Sequence, residues 1–265
     1  MAEKNILDTI ADKTRERVAS YKEKTDPTDM IARARSLNPD TGFVFENALR
    51  KDGISFICEI KKASPSKGII AADFPFLSIA KQYEHAGADA ISVLTEPHWF
   101  MGNDSYLTQI RSEVTIPVLR KDFTVDEYMI YQAKVMGADA VLLIVSLLSD
   151  SQLAEYLDIA DELGLSALTE CHDEKEIETA IGLGARLIGV NNRNLKNFSV
   201  DPLNALSLRD KVPNGILFVS ESGISDRKQV EALEKAGVNA VLVGETLMRS
   251  DNKRKCLRQL RGLEE

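Results

Sequence analysis

A four-residue phrase recurs along the chain about every fifty residues. Gly87-Ala88-Asp89-Ala90 runs into Ile91-Ser92-Val93-Leu94, and the same four letters return at Gly137-Ala138-Asp139-Ala140 ahead of Val141 to Val145. Relatives of the phrase stand at Gly184-Ala185-Arg186-Leu187 before Ile188-Gly189-Val190, and at Gly237-Val238-Asn239-Ala240 before Val241-Leu242-Val243. A period of this length points to one supersecondary unit used repeatedly. Each phrase follows an amphipathic pattern, and its glycine stands where a helix end wants left-handed backbone. Each apolar run is short and β-branched, as in a strand covered on both faces.

Four further strands are expected between these, at Ile54 to Ile60, Ile116 to Arg120, Ser166 to Thr169 and Ile216 to Ser220. Helical patterns separate them, including Asp126 to Met136, Asp150 to Leu163, Asp173 to Leu183 and Asp226 to Ala236, each with an aspartate placed as an N-cap or first-turn residue. Eight strands alternating with helices over about 200 residues predict an α/β chain folded as a (β/α)8 TIM barrel. An open doubly wound sheet is the competing arrangement. The pattern repeats as quarters, with no break that would mark a switch point, and this favours the barrel.

The chain reads as a single barrel domain over 1–265, with 1–50 as an N-terminal helical extension. Helices are expected at Ile6 to Tyr21, from Asp26-Pro27-Thr28-Asp29, and at Phe43 to Lys51. Such an extension either packs over one barrel end or covers the functional site. The formal net charge of −8 speaks against non-specific binding to nucleic acid or anionic membranes. The longest apolar stretch, near Ala140 to Leu148, is far short of a membrane span. Cys58, Cys171 and Cys256 lie far apart with no paired spacing, which fits a reducing compartment. No signal peptide is visible in Met1-Ala2-Glu3-Lys4-Asn5, so a cytoplasmic location is expected.

In a barrel of this kind chemistry sits at the C-terminal ends of the strands, and period two tells which side chains point inward. Glu59 and Lys61 share a face with Ile57, Lys121 with Leu119, Glu170 with Leu168, and Glu221 with Val219. The sixth strand runs into Asn191-Asn192-Arg193. Three Glu, two Lys, Asn191 and Arg193 therefore converge on one mouth. An ion pair closing the barrel end explains any one of them equally well. Seven together are another matter, because burying unpaired charge costs on the order of several kcal/mol per ion. Packed Lys and Glu also shift one another's proton affinity toward the range that acid/base work requires.

The loops after the seventh and eighth strands, Ser222-Gly223-Ile224 and Gly244-Glu245-Thr246, suit a phosphate grip of glycine backbone at helix starts. The loop after the first strand, from Lys62-Ala63-Ser64-Pro65-Ser66-Lys67-Gly68 to about Pro75, is long and rich in Lys and Ser, as a cover over an anionic substrate is. His85, His98 and His172 show no metal spacing, so no metal site is expected, and His172 is expected to point away from Glu170. No Walker loop, no Gly-x-Gly-x-x-Gly and no nucleophile elbow is present.

The segment Glu59-Ile60-Lys61-Lys62-Ala63-Ser64-Pro65-Ser66 resembles the Glu-x-Lys-x-x-Ser-Pro-Ser signature of the indole-3-glycerol phosphate synthase family. The resemblance continues in order through Leu94-Thr95-Glu96-Pro97, Phe100-Met101-Gly102, Leu119-Arg120-Lys121-Asp122-Phe123, Leu168-Thr169-Glu170, Gly189-Val190-Asn191-Asn192-Arg193-Asn194-Leu195, Ser220-Glu221-Ser222-Gly223-Ile224 and Val243-Gly244-Glu245-Thr246. It covers about residues 40 to 250. The chain departs from the family at Asn103 and Thr246, where Ser is common, and lacks a Trp that some relatives carry in the N-terminal helix.

This resemblance implies ring closure of a phosphorylated aryl-amino sugar, 1-(2-carboxyphenylamino)-1-deoxyribulose 5-phosphate, with loss of carbon dioxide and water, in tryptophan biosynthesis and without cofactor or metal. It implies catalytic roles for Glu59, Lys61, Lys121, Glu170, Asn191 and Glu221. Lys121 is the expected acid for ring closure. Substrate contacts fall to Ser64, Pro65, Phe100, Phe123, Leu142, Arg193, Leu195 and Ser222, and the phosphate to Ser222, Gly223, Gly244 and Thr246. A monomer or weak homo-oligomer is expected, with other enzymes of the tryptophan pathway as possible partners. A sugar-phosphate isomerase such as phosphoribosylanthranilate isomerase wants an Asp or Cys acid/base pair in place of two lysines. A silent scaffold that keeps only the phosphate grip is at odds with intact Glu59, Lys61, Lys121 and Glu170.

Overall fold

The computed structural model describes residues 5–194 and 199–263. Eight parallel strands close into a barrel: β1 (Ser55–Ile60), β2 (Ala90–Leu94), β3 (Val118–Lys121), β4 (Ala140–Ile144), β5 (Ser166–Cys171), β6 (Leu187–Asn191), β7 (Leu217–Glu221) and β8 (Ala240–Val243). Each pairs with its successor, and β8 returns to β1 with Ile57 beside Leu242. Three helices precede the barrel: α1 (Ile6–Lys24), α2 (Pro27–Arg35) and α3 (Val44–Leu49). Around it run α4 (Phe76–His85), α5 (Asp104–Arg111), α6 (Tyr128–Val135), α7 (Asp150–Glu162), α8 (Glu174–Gly182), α9 (Asn204–Leu208), α10 (Arg227–Lys235), α11 (Glu245–Arg249) and α12 (Lys253–Arg261). None of the described helices is long and apolar enough to cross a membrane.

The recurring phrase has a structural cause. Gly87, Gly137, Gly184 and Gly237 all have positive φ, so each helix ends in the left-handed turn that only glycine adopts without strain. The third letter then ties one strand to the one before it. Asp89 Oδ2 accepts the Phe56 N–H at 2.8 Å, Asp139 Oδ2 accepts that of Val118 at 2.8 Å, and Asn239 Oδ1 accepts that of Phe218 at 2.9 Å. The third copy has Arg186 at this position, which pairs instead with Glu46 and Asp161. Asp173 and Asp226 cap α8 and α10, whereas Asp150 sits in the first turn of α7 behind the true cap, Ser149.

Period two sorts the strand residues into two cores. Outward residues such as Phe56, Cys58, Val93, Val141 and Phe218 pack under the helices. Inward residues Ile57, Leu119, Leu142, Leu168, Val219 and Leu242 fill the barrel. The extension serves both ends. Phe45 and Leu49 of α3 are wholly buried with Ala90, Ala140, Leu187 and Ala240 at the strand starts. They plug the N-terminal end, each contributing on the order of 1.5–3 kcal/mol by burial. The other helix, α1, lies over the opposite end. Its Arg17 pairs with buried Asp122 at 2.7 Å just beyond β3, and donates to the Thr95 carbonyl at 3.3 Å beyond β2.

Candidate active site

Two residues beyond the inner apolar layer, the same alternation turns charged side chains into the barrel mouth. Ile57 is followed by Glu59 and Lys61, Leu119 by Lys121, Leu168 by Glu170, Gly189 by Asn191 and Val219 by Glu221. They line a cavity of about 720 Å³. Lys121 Nζ lies 2.8 Å from Glu170 Oε2 and 3.3 Å from Glu221 Oε2. Asn191 Nδ2 donates to the other oxygen of Glu170 at 3.1 Å, and Asn191 Oδ1 accepts the Arg193 N–H at 3.0 Å. Lys61 is hydrogen-bonded to Glu59 Oε2. That pair lies against Gly244, where a Cβ would meet the Glu59 carboxylate and come within 3.1 Å of Lys61 Nζ.

Three carboxylates share two ammonium groups here, and burial and mutual charge act differently on Lys121, Glu170 and Glu221. Burial disfavours a charged Lys121, but the fields of Glu170, Glu221 and Glu59 outweigh it, so the ammonium is held well above its usual range. Burial also opposes the charged form of Glu170. Lys121 foremost, then His172 and Asn191, overcomes it and keeps the carboxylate ionised to lower pH than usual. Glu221 goes the other way. Burial and the nearby Glu170 charge exceed the pull of Lys121 and push it up to about 7. Its Oε1 is buried and has no hydrogen-bond partner. It faces Gly189, where a Cβ would collide with it.

The walls differ in chemistry. On one side Phe100 and Phe123 lie with ring centroids 5.9 Å apart, beside Ser64, Pro65 and Leu142. Phe100 is held by a loop wound around Glu96, whose carboxylate accepts the N–H groups of His98, Trp99 and Phe100 at 2.8–3.0 Å. On the other side are Ser222, Gly223, Gly244 and Thr246. Ser222 and Gly223 both have positive φ, 67° and 80°. The Thr246 hydroxyl donates to the Ile224 carbonyl at 2.5 Å, which ties the two turns together. Arg193 Nη1 reaches Ser66 Oγ at 3.3 Å and so joins the loop after β1 to the loop after β6.

The structure thus brings Glu59, Lys61, Ser64, Pro65, Phe100, Lys121, Phe123, Leu142, Glu170, Asn191, Arg193, Glu221, Ser222, Gly223, Gly244 and Thr246 to one cavity. Leu195 lies outside the described residues. One expectation is corrected. His172 does not point away, because Nε2 comes within 3.7 Å of Glu170 Oε1 while Nδ1 contacts Glu176 Oε2 at 3.2 Å. Two residues on from Glu170, it shares that residue's side of the strand. Burial lowers the affinity of His172 for a proton, but Glu176 and Glu170 reverse the effect and raise it. Residues unforeseen at the cavity include Ile6, Leu7 and Ile10 of α1, with Gln229 and Arg249 near the glycine turns. Leu7 and Ile10 belong to a buried stripe with Ala11, Thr14 and Val18, a spacing visible in the sequence.

Comparison with known proteins places this architecture. In fold the barrel is similar to 3-hexulose-6-phosphate synthase (TM-score 0.65, 17% identity, 79% of this chain and 99% of that one). It is also similar to the tryptophan synthase A-subunit of Pyrococcus furiosus (TM-score 0.60, 14% identity, 80% of this chain and 98% of that one). In sequence it is 53% identical over 257 residues to indole-3-glycerol phosphate synthase of Ruminiclostridium cellulolyticum, covering 97% of this chain and 99% of the relative. It is 50% identical over 270 residues to that of Lachnoclostridium phytofermentans, again covering 97% and 99%. The model of the indole-3-glycerol phosphate synthase family matches residues 7–260, and with relatives this similar over nearly their full length, the chain belongs to that family.

Proposed function

We propose that this cavity carries out the family's reaction through a division of labour that its geometry supports. The chain is a carboxy-lyase of tryptophan biosynthesis. Its substrate is 1-(2-carboxyphenylamino)-1-deoxyribulose 5-phosphate, benzoate at one end and phosphate at the other. The aryl ring takes the apolar wall of Phe100, Phe123, Pro65 and Leu142. The phosphate takes the turns at Ser222-Gly223 and Gly244-Thr246. Because the Thr246 hydroxyl is engaged by Ile224, that residue offers its main-chain N–H, one of the groups a helix start leaves unpaired. Arg193 and Lys61 supply positive charge for the carboxylate, and Asn191 orients the sugar hydroxyls.

Ring closure forms a bond between the carboxylate-bearing ring carbon and the sugar ketone carbon. The ketone oxygen gains negative charge and takes the Lys121 proton. An ammonium of raised proton affinity suits an alkoxide as it develops, when the oxygen is basic enough to accept. The ring system becomes cationic at this stage, and ionised Glu170 stabilises it. Departure of carbon dioxide returns the bonding pair to the ring. Dehydration then removes the new hydroxyl, protonated by Lys61, and a ring proton, taken by Glu59. Glu221 holds Lys121 in place. The three free cysteines fit a reducing cytoplasm.

The observation that carries this reading is the Lys121 ammonium wedged between Glu170 and Glu221, with an aromatic wall to one side and paired glycine turns to the other. Among the described residues no pair of Asp or Cys side chains lines this cavity. Asp122 is engaged by Arg17 and Thr95, and Cys58 and Cys171 belong to the outer core. The test is incubation with the substrate, following indole fluorescence and carbon dioxide release. Lys121→Ala should abolish turnover and leave competition by inorganic phosphate intact. Turnover near the parent rate in that variant would refute the assigned acid.

A further inference from the structure

Asn192, next to Asn191 but absent from the cavity wall, is hydrogen-bonded on every side, and three of its bonds reach the strand and turn that lead into the anion site. It is 2% exposed. Its Nδ2 donates to Ser220 Oγ at 3.2 Å and to the Ser222 carbonyl at 3.0 Å. Its Oδ1 accepts the Ala205 N–H at 2.9 Å. Its own N–H donates to the Glu221 carbonyl at 2.9 Å, and its carbonyl accepts the Asp201 N–H at 2.9 Å. The residue so gripped is unusual. Ser222 has a φ of +67°, one of three positive values among the described non-glycine residues, and serine does not hold that conformation unaided.

We propose that Asn192 is the positioning residue of the phosphate turn. By fixing the Ser222 carbonyl it keeps that residue in the left-handed conformation, so that the backbone of Ser222-Gly223 faces the anion. It also links this turn to α9 and ties together the ends of β6 and β7, which bear Asn191 and Glu221. Asn192 touches no substrate and acts through Ser222. The proposal rests on the reading of this turn as a phosphate cradle, and it adds the residue that sets the cradle's shape.

The chemistry singles out asparagine. A donor toward the Ser222 carbonyl and an acceptor for the Ala205 N–H are needed at the same point; an aspartate of equal size keeps the acceptor, and the Ser220 hydroxyl can donate to it, but it turns a negative oxygen toward the Ser222 carbonyl. Asn192→Asp should therefore raise KM for the phosphorylated substrate on the order of tenfold, the effect of losing a hydrogen bond and gaining a repulsion at one point. The inhibition constant of inorganic phosphate should rise by a similar factor, while kcat falls less. Asn192→Ser, smaller and neutral, should show a weaker form of the same pattern. Adding Ser222→Gly to the neutral Asn192→Ser variant should recover phosphate affinity, since glycine adopts positive φ without a clamp.

Unchanged KM and phosphate competition in both folded variants would overturn the proposal. So would a loss of thermal stability alone, with no change in phosphate affinity at a temperature where the variants are folded. If phosphate does not compete with substrate in the parent enzyme, the cradle reading itself fails and the role of Asn192 falls with it. Parental competition that persists unchanged in the variants sinks only the role of Asn192.

Discussion

Replacing Glu221 by glutamine should stabilise the protein above neutral pH while disabling it. An ordinary glutamate titrates near 4.5, and Glu221 is pushed up to about 7, first by burial and then by the charge of Glu170. The fold therefore favours the protonated form. Its contribution to stability is fully present below the unfolded value, and it declines as pH rises through 7. At about 1.4 kcal/mol per pH unit, the gap between 4.5 and about 7 corresponds to roughly 3–4 kcal/mol by pH 8.5. Glutamine keeps the shape without the charge and escapes this loss. Thermal unfolding of the parent and Glu221→Gln should coincide at about pH 4, below the unfolded value. By pH 8.5 the variant should melt roughly 6–16 °C higher, at about 2–4 °C per kcal/mol for a chain of this size. Turnover should fall because Lys121 loses one of the two carboxylates that seat it, at 3.3 Å. A melting difference that stays constant across pH would refute the reasoning, since only a titrating group makes it grow.

Two further substitutions probe the surroundings. Arg17→Met should cost about 3 kcal/mol by leaving buried Asp122 without its nearest cation, and should let protease cut between α1 and α2 sooner. Burial raises the proton affinity of Asp122, but Arg17 and Arg120 overcome it and hold the carboxyl below its usual range. The parent gains from that pairing above the ordinary aspartate range and loses it as pH falls, so denaturation curves of parent and variant should converge in acid; parallel curves would exclude the pair as the cause. Gly189→Ala should displace the Glu221 carboxylate, because its Cβ falls on Oε1 and within 3.1 Å of Leu168 Cδ1. We expect kcat to drop at least tenfold with KM changed less, and steady-state kinetics with unchanged kcat would count against Glu221 as the seat of Lys121.

What sequence alone determined about this chain is what short-range rules govern. Helix ends at Gly87, Gly137, Gly184 and Gly237 were legible because positive φ is a local demand. The inward set of Glu59, Lys61, Lys121, Glu170 and Glu221 was legible because strand alternation is local too, and eight repeats leave one closed arrangement that uses them all. Tertiary structure decided the rest. Lys121 and Glu170 are 49 residues apart in the chain yet 2.8 Å apart in space, and burial in the closed mouth, followed by the charge of Glu170, gives Glu221 its affinity for a proton near neutrality. The turn of His172 toward Glu170, the grip of Asn192 on Ser222, and the division of the extension into a cover at α1 and a plug at α3 belong to the same class. The physical reason is one of range. Conformational preference acts over a few neighbouring residues, whereas charge, burial and packing act between whatever segments the closed barrel brings into contact.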